Sequence, residues 1–345
     1  MEKTLIEAVP LEESVIPTAR PVNSVYGSDR SIIETPRNVT IISREQLDAI
    51  MIRDVRDFSK LTSSSYTRSN FGAPTTPDIR GQIADTFVNG MRQGLTSNGN
   101  GMPVNFNSVE SVNIIKGPAT AVYGASQYVG GYIDLITKRP YFDQFQGEAA
   151  ATFGMFDQYR WTADFGGPIS KKTAYRISYS GENSGSFYTD GFQKTQAAYL
   201  ALTHVASDKY EVAFNTEFFW ANYTENFGVN RPTQKLIDDK IYQTGVNNNP
   251  APDFAAYPFG YVDASGNPIT FGNVNVPAGP AAPVSDPQNS RWVTSGYPVV
   301  NRIALGPEVK LDRSLRLLRP GDDSEGFSYQ AQVIQTWHAS DTHDL

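Results

Sequence analysis

The chain has 345 residues, a formal net charge of −7 and no cysteine. The absence of cysteine excludes a disulfide scaffold and a cysteine-ligated metal site, and an acidic chain without a lysine or arginine block is a poor partner for nucleic acid. The three histidines are far apart in the sequence, so we expect no metal site, and no stretch reaches the roughly 18 apolar residues of a membrane helix.

The composition leaves two classes, a soluble β-rich protein and a β-barrel. The mean hydropathy of −0.38 is compatible with both, because the polar interior of a barrel keeps average hydropathy low. The 18 tyrosines, 19 phenylalanines and 28 glycines favour the barrel, since aromatic residues populate both interfaces of a membrane wall. The first ten residues are neither long nor apolar enough for a signal peptide, so we expect either a mature or trimmed form or an incorrectly assigned start.

The first 30 residues are rich in glutamate and proline and have no sustained period. This pattern predicts a flexible N-terminal arm over residues 1–30. A β-branched run at 13–19 is suited to pairing with an open sheet edge, and the alternative is a plain linker.

From about residue 31 to 140 the pattern is mixed α/β. A short apolar strand at 39–42 leads into Ser43, which is followed three residues later by Gln46 in a capping-box arrangement. Apolar residues at helical spacing then predict helix over about 44–60, broken near its middle.

Polar loops at 62–70 and 94–107 lie on either side of a predicted strand that enters Asn89 and Gly90. Asn-Gly tolerates the positive φ of a two-residue turn, so this segment predicts a hairpin.

Two apolar strands follow, within the stretches 109–124 and 130–140, and a segment rich in glycine and proline links them. Pro118 ends the first strand because it has no N–H to donate to a ladder. Gly117 and Gly124 permit tight turns that a Cβ would block.

These ordered motifs resemble the plug-domain signature of TonB-dependent siderophore receptors. The resemblance covers about residues 30 to 140, and its motif residues are Arg80, Gly81, Asn89, Gly90, Glu110, Lys116, Gly117, Pro118, Tyr123, Gly124, Gly130 and Gly131. It implies a globular plug, at 31–140, that fills the lumen of a barrel of about 22 strands in the outer membrane of a Gram-negative bacterium.

The same resemblance implies that the energy-transducing protein TonB pulls on the N-terminal arm. The candidate contact is Val15 and Ile16, within the β-branched run. Their match to the family's Ton box is poor, so the position of that box stays open.

From Gly147 onward the apolar period changes to two. Tyr159, Trp161 and Phe165 alternate with polar residues, and similar runs occur at 149–155, 175–180, 196–205, 210–220 and 327–333. A soluble sandwich also alternates, but its apolar face would be rich in Val, Ile and Leu. An apolar face of Tyr, Trp, Phe and Ala is better suited to lipid.

Short breaks at 166–172 and 207–209 alternate with a medium loop at 185–194 and a long loop at about 226–325. The predicted fold is therefore an α+β plug domain followed, over 145–345, by antiparallel transmembrane β-barrel strands. About six strands are present where a plugged barrel has about 22, so we expect an incomplete barrel from a truncated chain.

The sequence contains no catalytic motif, so we expect no enzyme activity and no cofactor. Four carboxylates on the predicted strands are interpreted as lumen-facing residues that meet lysine and arginine on the plug: Glu148, Asp164, Glu211 and Glu217. Arg80 and Lys116 are candidates for plug–barrel salt bridges.

The resemblance implies a receptor for TonB-dependent uptake of a ferric siderophore or a similar large nutrient, with TonB, the iron chelate and outer-membrane lipid as partners. The candidate ligand-binding residues at the plug apex are Arg68, Asn70, Phe71, Arg92 and Asn98. The alternatives are a receptor for cobalamin or a glycan, and a soluble β-rich adhesin or carbohydrate-binding module.

Overall fold

The structure is a computed structural model of the chain. It describes residues 15–18, 22, 25, 30–52, 54–67, 77–93, 102–124, 128–224, 234–245, 261–262, 302–303, 305–314, 321–340 and 343–344. The chain divides into two compact units, Met1–Gly228 with Arg316–Leu345, and Val229–Leu315. Within the described residues, no helix has both the length and the apolar character needed to cross a membrane.

The plug region contains short strands and helical turns. In chain order they are β1 (Asn38–Ile42), helix α1 (Arg44–Ala49), a 3-10 helix (Val55–Lys60), β2 (Ser65–Tyr66), β3 (Asp78–Ile79), β4 (Gln82–Ile83), β5 (Asp85–Val88), β6 (Met91–Arg92), β7 (Val109–Lys116), a second 3-10 helix (Ala121–Tyr123) and β8 (Gly131–Thr137). The main sheet has the order β1-β7-β8-β5-β6, and β2, β3 and β4 form a smaller sheet. Only the β5–β8 pair of the main sheet is parallel.

The start of α1 confirms the predicted capping box. The Ser43 side chain accepts from the backbone N–H of Gln46, and the Gln46 side chain accepts from the backbone N–H of Ser43. The predicted helical stretch is indeed broken: α1 ends at Ala49, and Asp54 caps a separate 3-10 helix. Capping satisfies N–H groups that have no partner within the helix.

The main sheet has an apolar cluster on each face, because successive strand residues point to opposite sides. Ile114 and Ile133 belong to the first core, which α1 and the first 3-10 helix cover. Their chain neighbours Ile115 and Tyr132, with Phe87, belong to a second core.

The second core includes two valines from the segment that the sequence predicts to be a flexible arm. Val22 and Val25 lie within the predicted arm, yet they are 2 % and 0 % exposed and pack in the second core. The second face of the sheet is apolar and needs cover, and these two valines supply part of it.

The predicted Asn-Gly hairpin is confirmed. Asn89 and Gly90 both have positive φ, of 49° and 76°, as a two-residue turn between β5 and β6 requires. A Cβ on Gly90 would also lie 3.0 Å from Cε1 of Tyr123.

A second, larger sheet follows the plug, and we call it the wall sheet. Its strands are β9 (Gln146–Gly154), β10 (Gln158–Ser170), β11 (Thr173–Gly185), β12 (Phe192–Ser207), β13 (Tyr210–Tyr223), β18 (Ser324–Ser340) and β19 (His343–Asp344). They pair antiparallel in the order β19-β18-β13-β12-β11-β10-β9. All six strands predicted from the period of two are present.

The turns between these strands are tighter than predicted. The expected break at 166–172 shrinks to a turn at 171–172, because β10 continues to Ser170 with a register shift after Pro168. A Cβ on Gly166 would lie 2.3 Å from the carbonyl oxygen of Tyr175. This glycine therefore serves close approach of two strands and not a turn. The loop expected at 185–194 likewise narrows to 186–191.

The wall sheet turns its polar face towards the plug and its apolar face outward. Asp164 is 4 % exposed, whereas Tyr159 and Phe165 on the same strand are 46 % and 39 % exposed. The core of a soluble sandwich has the opposite arrangement. The predicted outward aromatic face is confirmed.

The second compact unit contains short elements where a loop was predicted. These are helix α2 (Gln234–Asp239) and strands β14 (Ile241–Gly245), β15 (Tyr261–Val262), β16 (Arg302–Ile303) and β17 (Leu305–Lys310). Strand β14 pairs with β17, and β15 with β16. Partners so distant in sequence leave no local pattern from which to predict the pairing.

The Ser43 cap can be tested by hydrogen exchange of the α1 amides. Ser43→Ala removes the side-chain acceptor, which costs about 1 kcal/mol and should speed exchange roughly fivefold. Ser43→Asp keeps a capping oxygen and should leave the exchange rate close to that of the wild type. Equal exchange in Ser43→Ala and the wild type would contradict the capping assignment.

Candidate functional site

The candidate site is the polar interface between the plug and the inward face of the wall sheet. Antiparallel pairing brings one inward residue of each strand to the same level across the sheet. One such level, which we call the polar row, consists of Asp164, Ser178, Tyr199, Glu217 and Gln330. Each of the first four is buried.

A buried ion-pair cluster occupies one end of the polar row. The ammonium of Lys138 lies 2.5 Å from Oδ2 of Asp164, and Nε of Arg176 lies 2.8 Å from Oδ1 of the same carboxylate. Lys138 follows β8 of the plug, whereas Asp164 and Arg176 belong to β10 and β11 of the wall. Burial lowers the pKa of Lys138, while Asp164 acts in the opposite direction.

Arg176, the second cation of the cluster, also pairs with a carboxylate of the plug. Its Nη1 lies 3.2 Å from Oε2 of Glu110 in the plug, and its guanidinium lies 4.5 Å from the centre of the Tyr141 ring. Two cations and two carboxylates thus meet in one place. Such pairing is what makes buried charge tolerable.

Glu217, in the polar row, is held by neutral donors from the plug and from β18. Its carboxylate accepts from Nδ2 of Asn105 at 2.7 Å and from Oγ of Ser108 at 2.9 Å. A third bond comes from Nε2 of Gln330 at 3.1 Å. This wall carboxylate therefore fixes the segment that leads into β7.

Two further bonds join the polar row to the plug. The hydroxyl of Tyr199 donates to the carbonyl of Lys138 at 2.8 Å, and Nδ2 of Asn107 donates to the carbonyl of Ser178 at 3.0 Å. The segment before β7 and the residue after β8 lie side by side, since Lys138 N donates to Ser108 O. The polar row therefore holds the end of the β7–β8 pair at which β7 begins and β8 ends.

The plug-motif residue Asn89 connects the β5–β6 hairpin to β18. Its Nδ2 lies 2.8 Å from Oε1 of Gln332, and Nε2 of Gln332 donates to the carbonyl of Val88 at 3.2 Å. Nδ2 of Asn89 also donates to the Thr137 hydroxyl, and its Oδ1 accepts from the backbone N–H of Thr137.

Neither Arg80 nor Lys116, the two cations of the plug motif, forms the predicted salt bridge with the described part of the wall sheet. Lys116 instead donates to Oγ of Ser63 at 3.0 Å, inside the plug. Arg80 is exposed and occupies, with Gly81, a positive-φ turn between β3 and β4. The cations that do pair with wall carboxylates are Lys138 and Arg139, the latter 2.9 Å from Glu211.

Sequence reasoning missed Lys138 and Arg139, although both directly follow the last plug strand. Of the four predicted lumen carboxylates, Asp164, Glu211 and Glu217 contact plug residues. Glu148 is exposed but borders a cavity next to α1.

The motif glycines serve close packing as well as turns. Gly117 has a φ of 112°, and a Cβ there would lie 2.9 Å from Nη2 of Arg37, which donates to the carbonyl of Pro118. A Cβ on Gly131 would lie 2.7 Å from the carbonyl oxygen of Ile115.

Most of the predicted ligand-binding residues cannot be placed. Arg68, Asn70, Phe71 and Asn98 lie outside the described residues. Arg92 points to its own plug, with its Nη2 3.9 Å from Asp85 and its guanidinium 5.4 Å from the centre of the Phe87 ring.

The TonB-contact candidates lie beside the start of α1. Oγ of Ser43 donates to the carbonyl of Val15 at 2.9 Å. The Ile16 side chain is 61 % exposed. One hydrogen bond thus places this part of the arm next to the helix cap.

Two cavities lie between the plug and the wall sheet. One, of about 330 Å³, is bordered by α1 and strands β9 to β11. The other, of about 610 Å³, is bordered by the β5–β6 hairpin, β8 and strands β12, β13 and β18. In the described part of the chain, no group of three or more histidine, aspartate or glutamate residues is arranged to hold a metal ion.

Comparison with known proteins gives a family for the plug region. Residues 31–131 match the family model described as TonB-dependent Receptor Plug Domain. The ferrioxamine receptor of Yersinia enterocolitica is 28 % identical over 180 residues, which are 50 % of this chain and 25 % of that protein. The metal-pseudopaline receptor CntO of Pseudomonas aeruginosa is 30 % identical over 172 residues, 49 % of this chain and 24 % of that protein. The chain therefore spans about a quarter of the length of these relatives.

Solved structures show the same fold. The ferripyoverdine receptor of the outer membrane of Pseudomonas aeruginosa, bound to ferripyoverdine, matches with a TM-score of 0.57 at 19 % identity, over 61 % of this chain and 29 % of that one. The ferric-catecholate import receptor Fiu from E. coli, in its open form, matches with a TM-score of 0.55 at 21 % identity, over 62 % of this chain and 31 % of that one. The predicted fold class is confirmed.

The ion-pair cluster predicts a large cost for removing Asp164. Asp164→Asn leaves Lys138 and Arg176 buried without their shared carboxylate, which should destabilise the plug by about 3 kcal/mol. The measurement is the urea midpoint at which a cysteine introduced at Ile114, in the plug core, becomes reactive to a thiol reagent.

The matched control is Glu148→Gln, because Glu148 is the exposed cross-strand partner of Asp164. It should shift stability by less than about 0.5 kcal/mol. Equal shifts for the two variants would contradict a structural role for the cluster. Adding Lys138→Met to Asp164→Asn should recover part of the loss.

Proposed function

We propose that this chain, which carries the plug domain and wall strands of a TonB-dependent outer-membrane receptor, acts in the uptake of a ferric siderophore. The observation that carries the proposal is the polar interface between plug and wall. A plug held by water-exchangeable hydrogen bonds and a few ion pairs closes a pore and can still be rearranged. A dry apolar interface of the same area would resist such a change.

The ligand class is supported by the relatives. Those named as receptors take ferrioxamine, metal-pseudopaline or ferripyoverdine, all of them metal chelates by name. We propose an iron chelate as the ligand of this chain and no resident cofactor.

We propose that the ligand contacts belong to the plug segments at 66–74 and 92–103. Met102, at the end of the 94–103 loop, packs with Ala197, Phe219 and Ala221. A Cβ on Gly326 would lie 2.7 Å from its sulfur, close to the start of β18. Arg68, Asn70, Phe71, Arg92 and Asn98 remain the proposed contacts to an anionic chelate.

Import needs an external energy source, and we propose TonB as the partner that supplies it. An exposed β-branched segment is suited to adding as a strand to a partner's sheet, where main-chain hydrogen bonds provide the affinity. Ile16 is exposed and Val15 is held by one bond from Ser43. We therefore retain these two residues as the proposed contact.

Loss of the protein should abolish the uptake of iron from one chelate. Cells that lack the gene, grown under iron limitation, are compared with the wild type for uptake of radiolabelled iron from ferrioxamine, ferripyoverdine and metal-pseudopaline. We expect at least a tenfold loss for one chelate and no change for inorganic iron.

Two controls separate this function from the alternatives. Unchanged uptake of every chelate with lost use of cobalamin or a glycan would replace the ligand class. Recovery of the protein from a soluble fraction, instead of the outer membrane, would contradict the receptor assignment altogether.

Ile16→Pro tests the TonB contact. Proline removes the N–H that strand addition requires, so energy-dependent uptake should fall at least tenfold while chelate binding to whole cells stays constant. Ile16→Ala keeps the N–H and should retain most of the uptake. A proline variant that imports at the wild-type rate would contradict this position.

A further inference from the structure

The wall sheet carries charges of opposite sign at its two ends. The described connections at one end, residues 155–157, 186–191 and 321–323, contain four aspartates and neither lysine nor arginine. The two short turns at the other end, residues 171–172 and 208–209, contain three lysines and one aspartate. We call the three lysines the lysine rim: Lys171, Lys172 and Lys209.

The two short turns lie side by side. Nζ of Lys172, in the first turn, donates at 3.2 Å to the carbonyl of Ala206, just before the second turn. All three lysines are exposed, and none of them forms an ion pair with another described residue. Glu211, close to the second turn, is already paired with Arg139. Three lysines and the single carboxylate of Asp208 therefore give the two turns a net charge of +2.

Next to the lysine rim, the outer face of the wall changes from polar to apolar within two levels. Strand pairing aligns the level nearest the turns: Thr173, His204, Val212 and Gln335. The next level, two residues further along each strand, is apolar and aromatic: Tyr175, Leu202, Phe214 and Val333. Two residues of a strand span about 7 Å, which is close to the thickness of one headgroup region of a bilayer.

The aromatic pair Tyr210 and Trp337 indicates the depth of this end in the membrane. Their ring centres lie 6.2 Å apart, and Trp337 is 58 % exposed on the outer face. Tyrosine and tryptophan prefer the level of the lipid headgroups. Lys209 directly precedes Tyr210, so the lysine rim lies at the headgroups too. Because short turns of outer-membrane barrels face the periplasm, these headgroups belong to the periplasmic leaflet.

We propose that the lysine rim binds the phosphate of an anionic phospholipid of the periplasmic leaflet, with the acyl chains against the apolar level at Leu202 and Phe214. A lysine ammonium binds phosphate through charge-assisted hydrogen bonds, and lysines at a membrane surface attract anionic lipid. The proposal rests on the membrane location in the proposed function and is independent of the chelate.

The charge and the layering of this surface favour an anionic phospholipid over other phosphates. A free phosphate would satisfy the lysines but would leave the apolar level at Leu202 and Phe214 without a partner. A zwitterionic headgroup would bring a cation of its own next to a net charge of +2, which is unfavourable. An anionic phospholipid complements both the charge and the apolar surface.

The chain contains no cysteine, so one thiol can report on the lipid beside the lysine rim. Val212→Cys carries a bimane fluorophore on the outer face, level with His204 and Gln335. The protein is purified from outer membranes and reconstituted into phosphatidylcholine vesicles. These contain phosphatidylglycerol or phosphatidylcholine that is spin-labelled near the carboxyl end of an acyl chain. We expect labelled phosphatidylglycerol to reach half-maximal quenching at about a threefold lower mole fraction.

Variants of the turns test the charge. The combination of Lys171→Gln, Lys172→Gln and Lys209→Gln should abolish the preference for phosphatidylglycerol. The combination of Lys171→Arg, Lys172→Arg and Lys209→Arg keeps the charge and should retain it. Asp208→Asn raises the net charge of the turns and should increase it. A wild-type preference in the glutamine variant would overturn the proposal.

Two controls test whether the site is local. Phe218→Cys carries the same fluorophore on the outer face of the same strand, six residues from Val212 and towards the opposite end. Both labelled lipids should quench it equally. Lys194→Gln removes a cation that lies 5.1 Å from the Phe192 ring at that opposite end, and it should leave the preference at Val212→Cys unchanged. An equal preference at both reporters would overturn a site at the lysine rim.

Added anions separate a lipid site from a site for free phosphate. Salt at about 1 M, which screens exposed charges beyond roughly 3 Å, should weaken the preference. Inorganic phosphate should weaken it no more than chloride does at the same ionic strength. A loss with phosphate alone would assign the lysine rim to a free anion and would overturn the lipid proposal.

Failure of the proposed function gives a different set of results. If the wild-type protein imports none of the chelates, the ligand assignment fails, while the quenching curves still decide whether the lysine rim selects anionic lipid. If neither lipid quenches either reporter, the wall sheet does not lie in a membrane, and both proposals are overturned. Equal quenching by the two lipids at Val212→Cys overturns only the lipid site.

Discussion

The structure depends on a wall sheet that presents hydrogen-bonding groups to its inner side. Antiparallel pairing aligns Asp164, Ser178, Tyr199 and Glu217 in one level across four strands. Buried groups of this kind must find partners, because an unsatisfied polar group costs about 1–3 kcal/mol and an unpaired charge costs more. The plug meets that requirement with the side chains of Lys138, Asn105, Asn107 and Ser108. Because alternate residues point to opposite faces and the polar ones point inward, the outer face can be apolar.

The contacts between the plug and the wall sheet therefore differ from one position to another. Where Asp164 and Arg176 lie, buried opposite charges hold the plug, and removing one partner would leave the other stranded. Where Ala201 and Ala213 lie, the wall is short of side-chain volume and a cavity remains. Lys138 also lines this cavity, and Ala201 pairs directly with Arg176 across the sheet, so the buried charges and the unfilled space adjoin each other.

Local rules predicted the local parts of this fold. The Ser43 capping box, the Asn89-Gly90 hairpin and the period-two strands each rest on neighbouring residues, and each is confirmed. Pairing between distant segments was out of reach of such rules. Gly166 looked like a turn residue because the strand opposite it is not visible in its own sequence.

The sequence predicted that the interface between plug and wall is polar, but it identified only some of the residues that form it. A polar inner face implied contacts between wall carboxylates and plug cations, yet the cations proved to be Lys138 and Arg139 instead of Arg80 and Lys116. Burial of Val22 and Val25 was missed for a related reason. The segment that contains them is acidic and rich in proline, which is the composition of a flexible arm. The two valines are core residues because they cover the second apolar face of the plug sheet.

The most direct test of the account is the lipid exposure of β13, residue by residue. Spin labels are placed in turn from Phe214 to Ala221 in the protein in outer membranes, and their collision rates with oxygen, which is concentrated in lipid, are measured. The account predicts a period of two, with high rates at Phe214, Thr216, Phe218 and Trp220 and low rates at the inward positions between them. An inverted pattern, or no alternation at all, would contradict it.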